Sequence, residues 1–152
     1  SSQKKKNDGS KVTKPSEIKK TALNNTKEFI MPLNGKIIKR YNTSNSVDKN
    51  EGIDIEAPPN STVVSSSNGK VALITEGTDK IGKIILIKHK NNFITLYARM
   101  NNITVKKDEI VSQGQKIGTT MNLAGEEEKT MPTLHFEIRK GTKSEDSEKY
   151  FN

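Results

Sequence analysis

The stretch that most constrains the fold of this chain is residues 132–139, which read Pro-Thr-Leu-His-Phe-Glu-Ile-Arg. Polar and apolar residues alternate strictly here, so the apolar side chains share one face and Thr133, His135 and Glu137 share the other. This period of two residues is typical of a β-strand with one buried face. Because His135 is one of only two histidines in the chain, we expect any chemistry to involve the polar face of this strand.

A second short strand is predicted upstream, at residues 52–55, where Asp54 stands between two isoleucines. The apolar neighbours again point away from the polar side chain. Pro58 and Pro59 follow this strand and end it, because proline cannot donate a hydrogen bond to a neighbouring strand. An aspartate and a histidine on two strands are therefore expected to share one groove.

The rest of the chain consists of short alternating or apolar segments separated by turn signals such as Asn-Gly, without a convincing long helix. Asn91 and Asn92 predict a tight hairpin, since asparagine tolerates the positive φ angles of such turns. We expect this hairpin to place Tyr97 and Arg99 on one face. The predicted fold is an all-β domain built on an antiparallel sheet. Its main strands are predicted at residues 36–41, 52–55, 61–65, 70–76, 82–88 and 93–99. The strand at residues 82–88 is expected to be central in the sheet.

The chain is predicted to divide into a basic segment, residues 1–29, and a packed domain, residues 30–152. The first carries eight lysines against Asp8, Glu17 and Glu28, which accounts for +5 of the total net charge of +8. We interpret it as a disordered, solvated linker or tail, because it is rich in lysine and poor in aromatic residues. The alternative is an arm that binds an acidic polymer or an anionic membrane surface.

Several sites are excluded by composition. The chain has no cysteine, which excludes disulfides and thiolate zinc sites. No apolar run approaches the roughly 18 residues of a membrane-spanning helix. The sequence begins at Ser1 and its first methionine is Met31, so we interpret it as a fragment without its targeting segment.

Five short motifs carry a resemblance to a known family. They are Gly-Ile-Asp-Ile at 52–55, Asn-Gly-Lys-Val at 68–71, Leu-Tyr-Ala at 96–98, Val-Ser-Gln-Gly-Gln-Lys-Ile-Gly at 111–118 and Leu-His-Phe-Glu-Ile-Arg at 134–139. In this order they resemble the LytM-type, lysostaphin-like zinc endopeptidase domain of cell-wall hydrolases, over about residues 30–152. The resemblance implies an antiparallel sheet with an open groove, of the duplicated-hybrid-motif type.

The resemblance also implies where the reaction site lies. Active members hold zinc with three ligands: the His and the Asp of a His-x-x-x-Asp motif and the second His of a His-x-His motif. Two further histidines are catalytic: the first His of His-x-His and the His that ends a Tyr-x-His motif. The matching ligand positions here are Asn50, Asp54 and His135, and the catalytic pair is Thr133 and Arg99. We therefore predict no bound metal, no cofactor and no catalytic residue, because asparagine is a poor substitute for imidazole and neither threonine nor arginine is a base near neutral pH.

Members that have lost their histidines are similar to the NlpD and EnvC type of murein hydrolase activator, which switch on N-acetylmuramoyl-L-alanine amidases during cell division. This implies an amidase as the protein partner, a periplasmic or outer-membrane associated location, a monomer, and no nucleic-acid partner; a membrane is contacted only through an anchor upstream. Arg99 departs from the NlpD branch, where Tyr-Ala-His is usual. Two other hypotheses stay open: a residual zinc endopeptidase and a passive peptidoglycan-binding module. The predicted partner-binding groove consists of Asn50, Asp54, Tyr97, Arg99, Thr133 and His135.

Overall fold

The computed structural model of the 152-residue chain describes residues 27–78, 81–123 and 130–151. Strands account for nearly all of the regular structure in these segments, which confirms the predicted all-β class, and two short 3-10 helices cover Lys90–Asn92 and Ser147–Tyr150. No helix among the described residues has the length and apolarity needed to cross a membrane. The strands are β1 (Lys36–Lys39), β2 (Ile53–Glu56), β3 (Thr62–Val64), β4 (Gly69–Glu76), β5 (Lys83–Lys88), β6 (Phe93–Ile103), β7 (Ile110–Val111), β8 (Lys116–Thr120), β9 (Thr133–Lys140) and β10 (Lys143–Glu145).

The main sheet has the strand order β1-β2-β9-β6-β5-β4-β7, and the neighbouring strands are antiparallel. β6, with 11 residues, is the longest strand. Its first part lies between β5 and β9, whereas its last part pairs with β8, which in turn pairs with β3. β6 therefore joins the main sheet to a smaller layer, and the core lies between them. The predicted central strand, β5, is interior and lies beside the middle strand, β6.

The core is built by the alternation that the sequence predicts. In β9 the three apolar side chains are 0% exposed, while the polar ones between them reach the open face of the sheet. Tyr97 packs on Phe136 with ring centroids 5.3 Å apart. Phe29 is 1% exposed and belongs to this core. The packed domain therefore includes Phe29, which the sequence analysis assigned to the basic segment 1–29.

A β-bulge in β6 overturns one prediction. Between the pairs Tyr97–Ile85 and Met100–Lys83, β6 contains two residues and β5 contains one. Arg99 takes a left-handed conformation, with φ of 69°, to accommodate the extra residue. Tyr97 therefore points into the core and Arg99 to the open face. The expectation that they share a face is wrong, because it assumed an unbroken period of two.

Two turns place the strands that carry the site. Asn91 and Asn92 have φ angles of 60° and 64°, which confirms the predicted hairpin between β5 and β6. Gly52 lies against β9 so closely that a Cβ atom there would be 2.2 Å from the carbonyl oxygen of Phe136. Only glycine allows the chain to enter β2 along β9 at this point. The short helix suggested near residues 16–23 and the glutamates at 126–128 lie outside the described residues.

Tyr97 provides a test of this core. Its hydroxyl oxygen accepts hydrogen bonds from the Ser66 amide at 3.0 Å and from the Thr95 hydroxyl at 2.8 Å. Tyr97→Phe should lower the free energy of unfolding by about 1 to 2 kcal/mol, because two buried donors lose their acceptor. Tyr41→Phe is the matched control, since the Tyr41 hydroxyl bonds Ser144 at a partly exposed position. Equal losses in urea unfolding of both variants would contradict the buried role of Tyr97.

Candidate functional site

Three adjacent strands bring the predicted site residues to one place on the open face. Asp54 of β2 is directly opposite His135 of β9, and His135 is directly opposite Ala98 of β6. The bulge then brings the side chain of Arg99 to the same face. This register places Asp54 and His135 side by side, as the sequence predicts.

His135 lies between two carboxylates. Its Nδ1 is 2.7 Å from Asp54 Oδ1 and its Nε2 is 2.8 Å from Glu137 Oε2. Burial lowers the pKa of His135, but the hydrogen bonds and negative charges of the two carboxylates outweigh burial and raise the pKa to about 9. At neutral pH the ring is therefore an imidazolium that donates a hydrogen bond from each nitrogen.

The positive partners of Asp54 and Glu137 keep both carboxylates ionised. Burial works to raise the pKa of Asp54, yet the His135 bond and charge, with the charges of Arg99 and Lys39, bring it below its ordinary value. The pKa of Glu137 is likewise lowered, because the bonds from His135 and Arg139 exceed the effect of burial. All three groups are thus charged and paired between weakly acidic and weakly basic pH.

Arg99 and Thr133, which the sequence predicts to stand at the family's catalytic positions, contact each other directly. Arg99 Nη1 donates to Thr133 Oγ1 at 2.8 Å and lies 3.7 Å from Asp54 Oδ1. Arg99 is thus an ion-pair partner of Asp54, although His135 is the closer partner. The Arg99 side chain remains 37% exposed, at the surface of the groove.

The network continues on the other side of His135. Arg139 Nη1 is 2.7 Å from Glu137 Oε1 and 3.5 Å from Glu51 Oε1. These contacts form one connected series of side chains, which we call the polar chain. Negative and positive side chains alternate along it, and the last member is a hydroxyl. Its members are, in order, Glu51, Arg139, Glu137, His135, Asp54, Arg99 and Thr133.

Sequence reasoning missed Glu51, Glu137 and Arg139 as members of the site. The signal for two of them was present, because Glu137 and Arg139 follow His135 at steps of two residues on the same strand face. Their proximity makes side-chain bonding along one strand expected. Glu51 precedes β2 and had no such signal.

Two predicted groove residues lie elsewhere. Tyr97 is 0% exposed and belongs to the core, because it lies opposite the core residues Ile85 and Phe136 in regular register, and the bulge that follows turns only Arg99 outward. Asn50 is 8% exposed, and its side-chain amide donates to the carbonyl oxygen of Arg40 at 3.4 Å. It borders β2 without joining the polar chain within the described residues. The other histidine of the chain, His89, bonds the Asn68 carbonyl and the Thr95 hydroxyl at the end of the sheet.

Comparison with known proteins identifies the family. Residues 48–147 match the model of peptidase family M23, over a region that contains every member of the polar chain. The chain belongs to peptidase family M23. This confirms the LytM-type resemblance inferred from the five motifs.

Relatives of this M23 domain include a cell division protein and a murein hydrolase activator. It is 34% identical over 112 residues to the cell division protein DipM of Caulobacter vibrioides, covering 74% of this chain and 18% of DipM. It is 32% identical over 113 residues to the murein hydrolase activator NlpD of Salmonella dublin, covering 74% of this chain and 28% of NlpD. The chain thus spans less than a third of either relative. The solution structure of lysostaphin superposes with a TM-score of 0.69 over 82% of this chain and 54% of lysostaphin, at 19% identity, which shows the shared fold.

The zinc ion that the family implies does not fit this site. Among the described residues, no three His, Cys, Asp or Glu side chains converge to hold a metal ion. Of the ligand positions, Asn50 bonds a backbone carbonyl, while Asp54 and His135 bond each other. Asn50 offers an amide in place of an imidazole, and the Arg99 guanidinium 3.7 Å from Asp54 supplies a positive charge where zinc would have to bind.

Proposed function

We propose that this M23 domain does not hydrolyse peptidoglycan but binds and activates a cell-wall N-acetylmuramoyl-L-alanine amidase in the periplasm or at the outer membrane, during cell division. The names of DipM and NlpD support a role in division and in the activation of a murein hydrolase. The internal pairing of the polar chain supports the absence of catalysis, because it uses the positions at which metal and general bases act in the family.

The observation that carries the proposal is the state of Arg99. In the described part of the chain only its Nη1 makes a side-chain contact, with Thr133 and Asp54, although a guanidinium has five N–H donors. The remaining donors have no partner among the described residues, and the side chain is 37% exposed. A carboxylate or the carbonyl end of a partner helix would complete their hydrogen bonding, and arginine is among the residues most often found as an interface anchor.

We expect purified protein to carry no stoichiometric zinc and to release no dye from labelled peptidoglycan on its own. The physical reason is that the donor set offers one carboxylate whose charge is already balanced by His135 and Arg99. Elemental analysis after dialysis and a dye-release assay check this. Near-equimolar zinc, or cleavage that a chelator abolishes, would favour the residual endopeptidase instead.

The activator function is tested by adding the protein to a purified amidase. Faster release of dye than by the amidase alone supports activation. A passive peptidoglycan-binding module would instead be retained by purified sacculi and leave the amidase rate unchanged. Pull-down on sacculi and on immobilised amidase, run side by side, separates the two functions.

A further inference from the structure

A second concave site lies at the opposite end of β5 from Arg99. Its volume is about 800 Å³, and Gly69 at the start of β4 and Lys88 at the end of β5 line it. Arg99, by contrast, lies beside the residues that lead into β5, since its amide donates to the Ile81 carbonyl. A strand rises about 3.3 Å per residue, so the length of β5 separates the two sites by roughly 20 Å. We call the second site the sheet-end cleft.

The sheet-end cleft is strongly basic. Four lysines line it, against one glutamate, Glu28. Lys70 and Lys88 stand directly opposite each other across β4 and β5, and like charges in that position destabilise a sheet. Within the described residues none of the four forms an ion pair; they are Lys27, Lys70, Lys88 and Lys90. Their charge is therefore available to an anion from outside the domain.

The walls of the cleft are fixed by specific contacts. A Cβ atom at Gly69 would lie 2.4 Å from the Lys88 carbonyl oxygen and 2.7 Å from His89 Nδ1, so glycine is needed for this close approach. His89 is held at 2.6 Å from the Asn68 carbonyl. The Gln113 amide donates to the carbonyl oxygens of residues 27 and 28 and fastens the entering chain to the cleft wall. The cleft is thus a formed feature of the fold.

An exposed apolar side chain adjoins the lysines. Ile110 of β7 is 71% exposed and pairs with Lys70, which pairs with Lys88, so the three side chains lie on one face of adjacent strands. The inward neighbour of Ile110, Val111, is buried. Lysines beside an exposed aliphatic residue match the interface of an anionic membrane, where phosphates lie next to acyl chains. Nucleic acid would call for aromatic stacking partners, and the aromatic residue lining the cleft, Phe29, is 1% exposed.

We propose that the sheet-end cleft binds the phosphate headgroups of an anionic phospholipid surface, with Ile110 at the boundary of the acyl chains. The lysines supply compact positive charges to phosphate oxygens, and the free surface of the cleft is large enough to admit a headgroup. This inference does not depend on amidase activation, because the cleft and the groove are separate.

The test is co-sedimentation of the full chain with vesicles of phosphatidylglycerol and phosphatidylcholine, compared with vesicles of phosphatidylcholine alone. Removing three cleft lysines should weaken binding about 100-fold, since each lysine near an anionic surface contributes about fivefold. A control variant lacks three lysines from outside the cleft. Its affinity for the anionic vesicles should be at least about ten times that of the cleft variant. The cleft variant is Lys70→Gln, Lys88→Gln and Lys90→Gln, and the control is Lys36→Gln, Lys116→Gln and Lys143→Gln, three exposed lysines that do not line the cleft.

Ile110→Ser provides an independent arm, because it changes no charge and removes no buried packing. It should weaken vesicle binding about tenfold at high salt, where electrostatic attraction is screened. The proposal is overturned if the wild-type chain ignores anionic vesicles, if the cleft and control variants lose affinity equally, or if Ile110→Ser binds as the wild type does. Displacement of the chain from vesicles by millimolar inorganic phosphate, with shifts of the His89 resonances, would assign the cleft to free phosphate rather than lipid and would equally overturn it.

Discussion

Arg99→Ala is expected to weaken activation of the partner amidase about thirtyfold or more, equivalent to about 2 kcal/mol of binding free energy. The domain should stay folded, because the lost contacts are one hydrogen bond and one ion pair at 3.7 Å on a side chain that is 37% exposed. Such exposed pairs contribute about 0 to 1 kcal/mol to stability. The measurements are the amidase rate as a function of added protein and the melting temperature of each variant.

The left-handed backbone at Arg99 gives this experiment a matched control. Arg99→Gly removes the same side chain but relieves the cost of a φ angle of 69°, so it should be about 1 kcal/mol more stable than the alanine variant. If both variants lose activation equally, the loss belongs to the side chain and not to stability. In the competing explanation Arg99 only fills the site beside Asp54. Arg99→Ala and Asp54→Ala would then both lower the melting temperature, and partner affinity would follow stability alone.

The stability of the domain should fall as pH rises from about 6.5 to about 9. The folded pKa of His135 is about 9, above the ordinary value of 6.5, so the folded state binds the proton more tightly than the unfolded state does. The stabilisation is therefore complete below pH 6.5 and lost as pH rises through 9; it amounts to at most roughly 3 kcal/mol. The lowered pKa values of Asp54 and Glu137 act in the opposite direction and remove stability in acid.

Urea unfolding of the wild type and of His135→Gln at pH 6 and pH 9.5 checks this result. The wild type should lose clearly more free energy of unfolding between the two pH values, because glutamine keeps a polar side chain between the carboxylates but does not titrate. Subtracting the variant removes the contribution of the lysines, which titrate near the upper pH. Equal losses in both proteins would show that His135 is not the imidazolium link of the polar chain.

Those parts of the fold that follow from periodicity could be predicted from the sequence. The alternation of residues 132–139 correctly placed His135 on the open face, and the short run around Asp54 correctly placed that aspartate beside it. The bulge at Arg99 could not be predicted, because a left-handed residue is normally indicated by glycine or asparagine, and arginine gives no such signal. The same omission put Tyr97 in the groove, since one extra residue reverses which side chain points inward.

The charges of the site show a second limit of sequence reasoning. Matching positions to a family motif directed attention to the five positions where histidine or aspartate is expected. Glu137 and Arg139 fall outside that motif, yet the bond between His135 and Glu137 helps to raise the pKa of His135, and Arg139 in turn bonds Glu137. Such coupling depends on which side chains meet across and along strands, and it becomes visible only when register and bulges are known.

The most direct measurement is dye release from labelled peptidoglycan by four samples: buffer, this protein, a purified amidase, and the two proteins together. We expect the protein alone to match buffer, the mixture to exceed the amidase alone, and Arg99→Ala to abolish most of that excess. Chelator-sensitive release by the protein alone, or a mixture no faster than the amidase, would contradict a non-catalytic activator whose groove is anchored by Arg99.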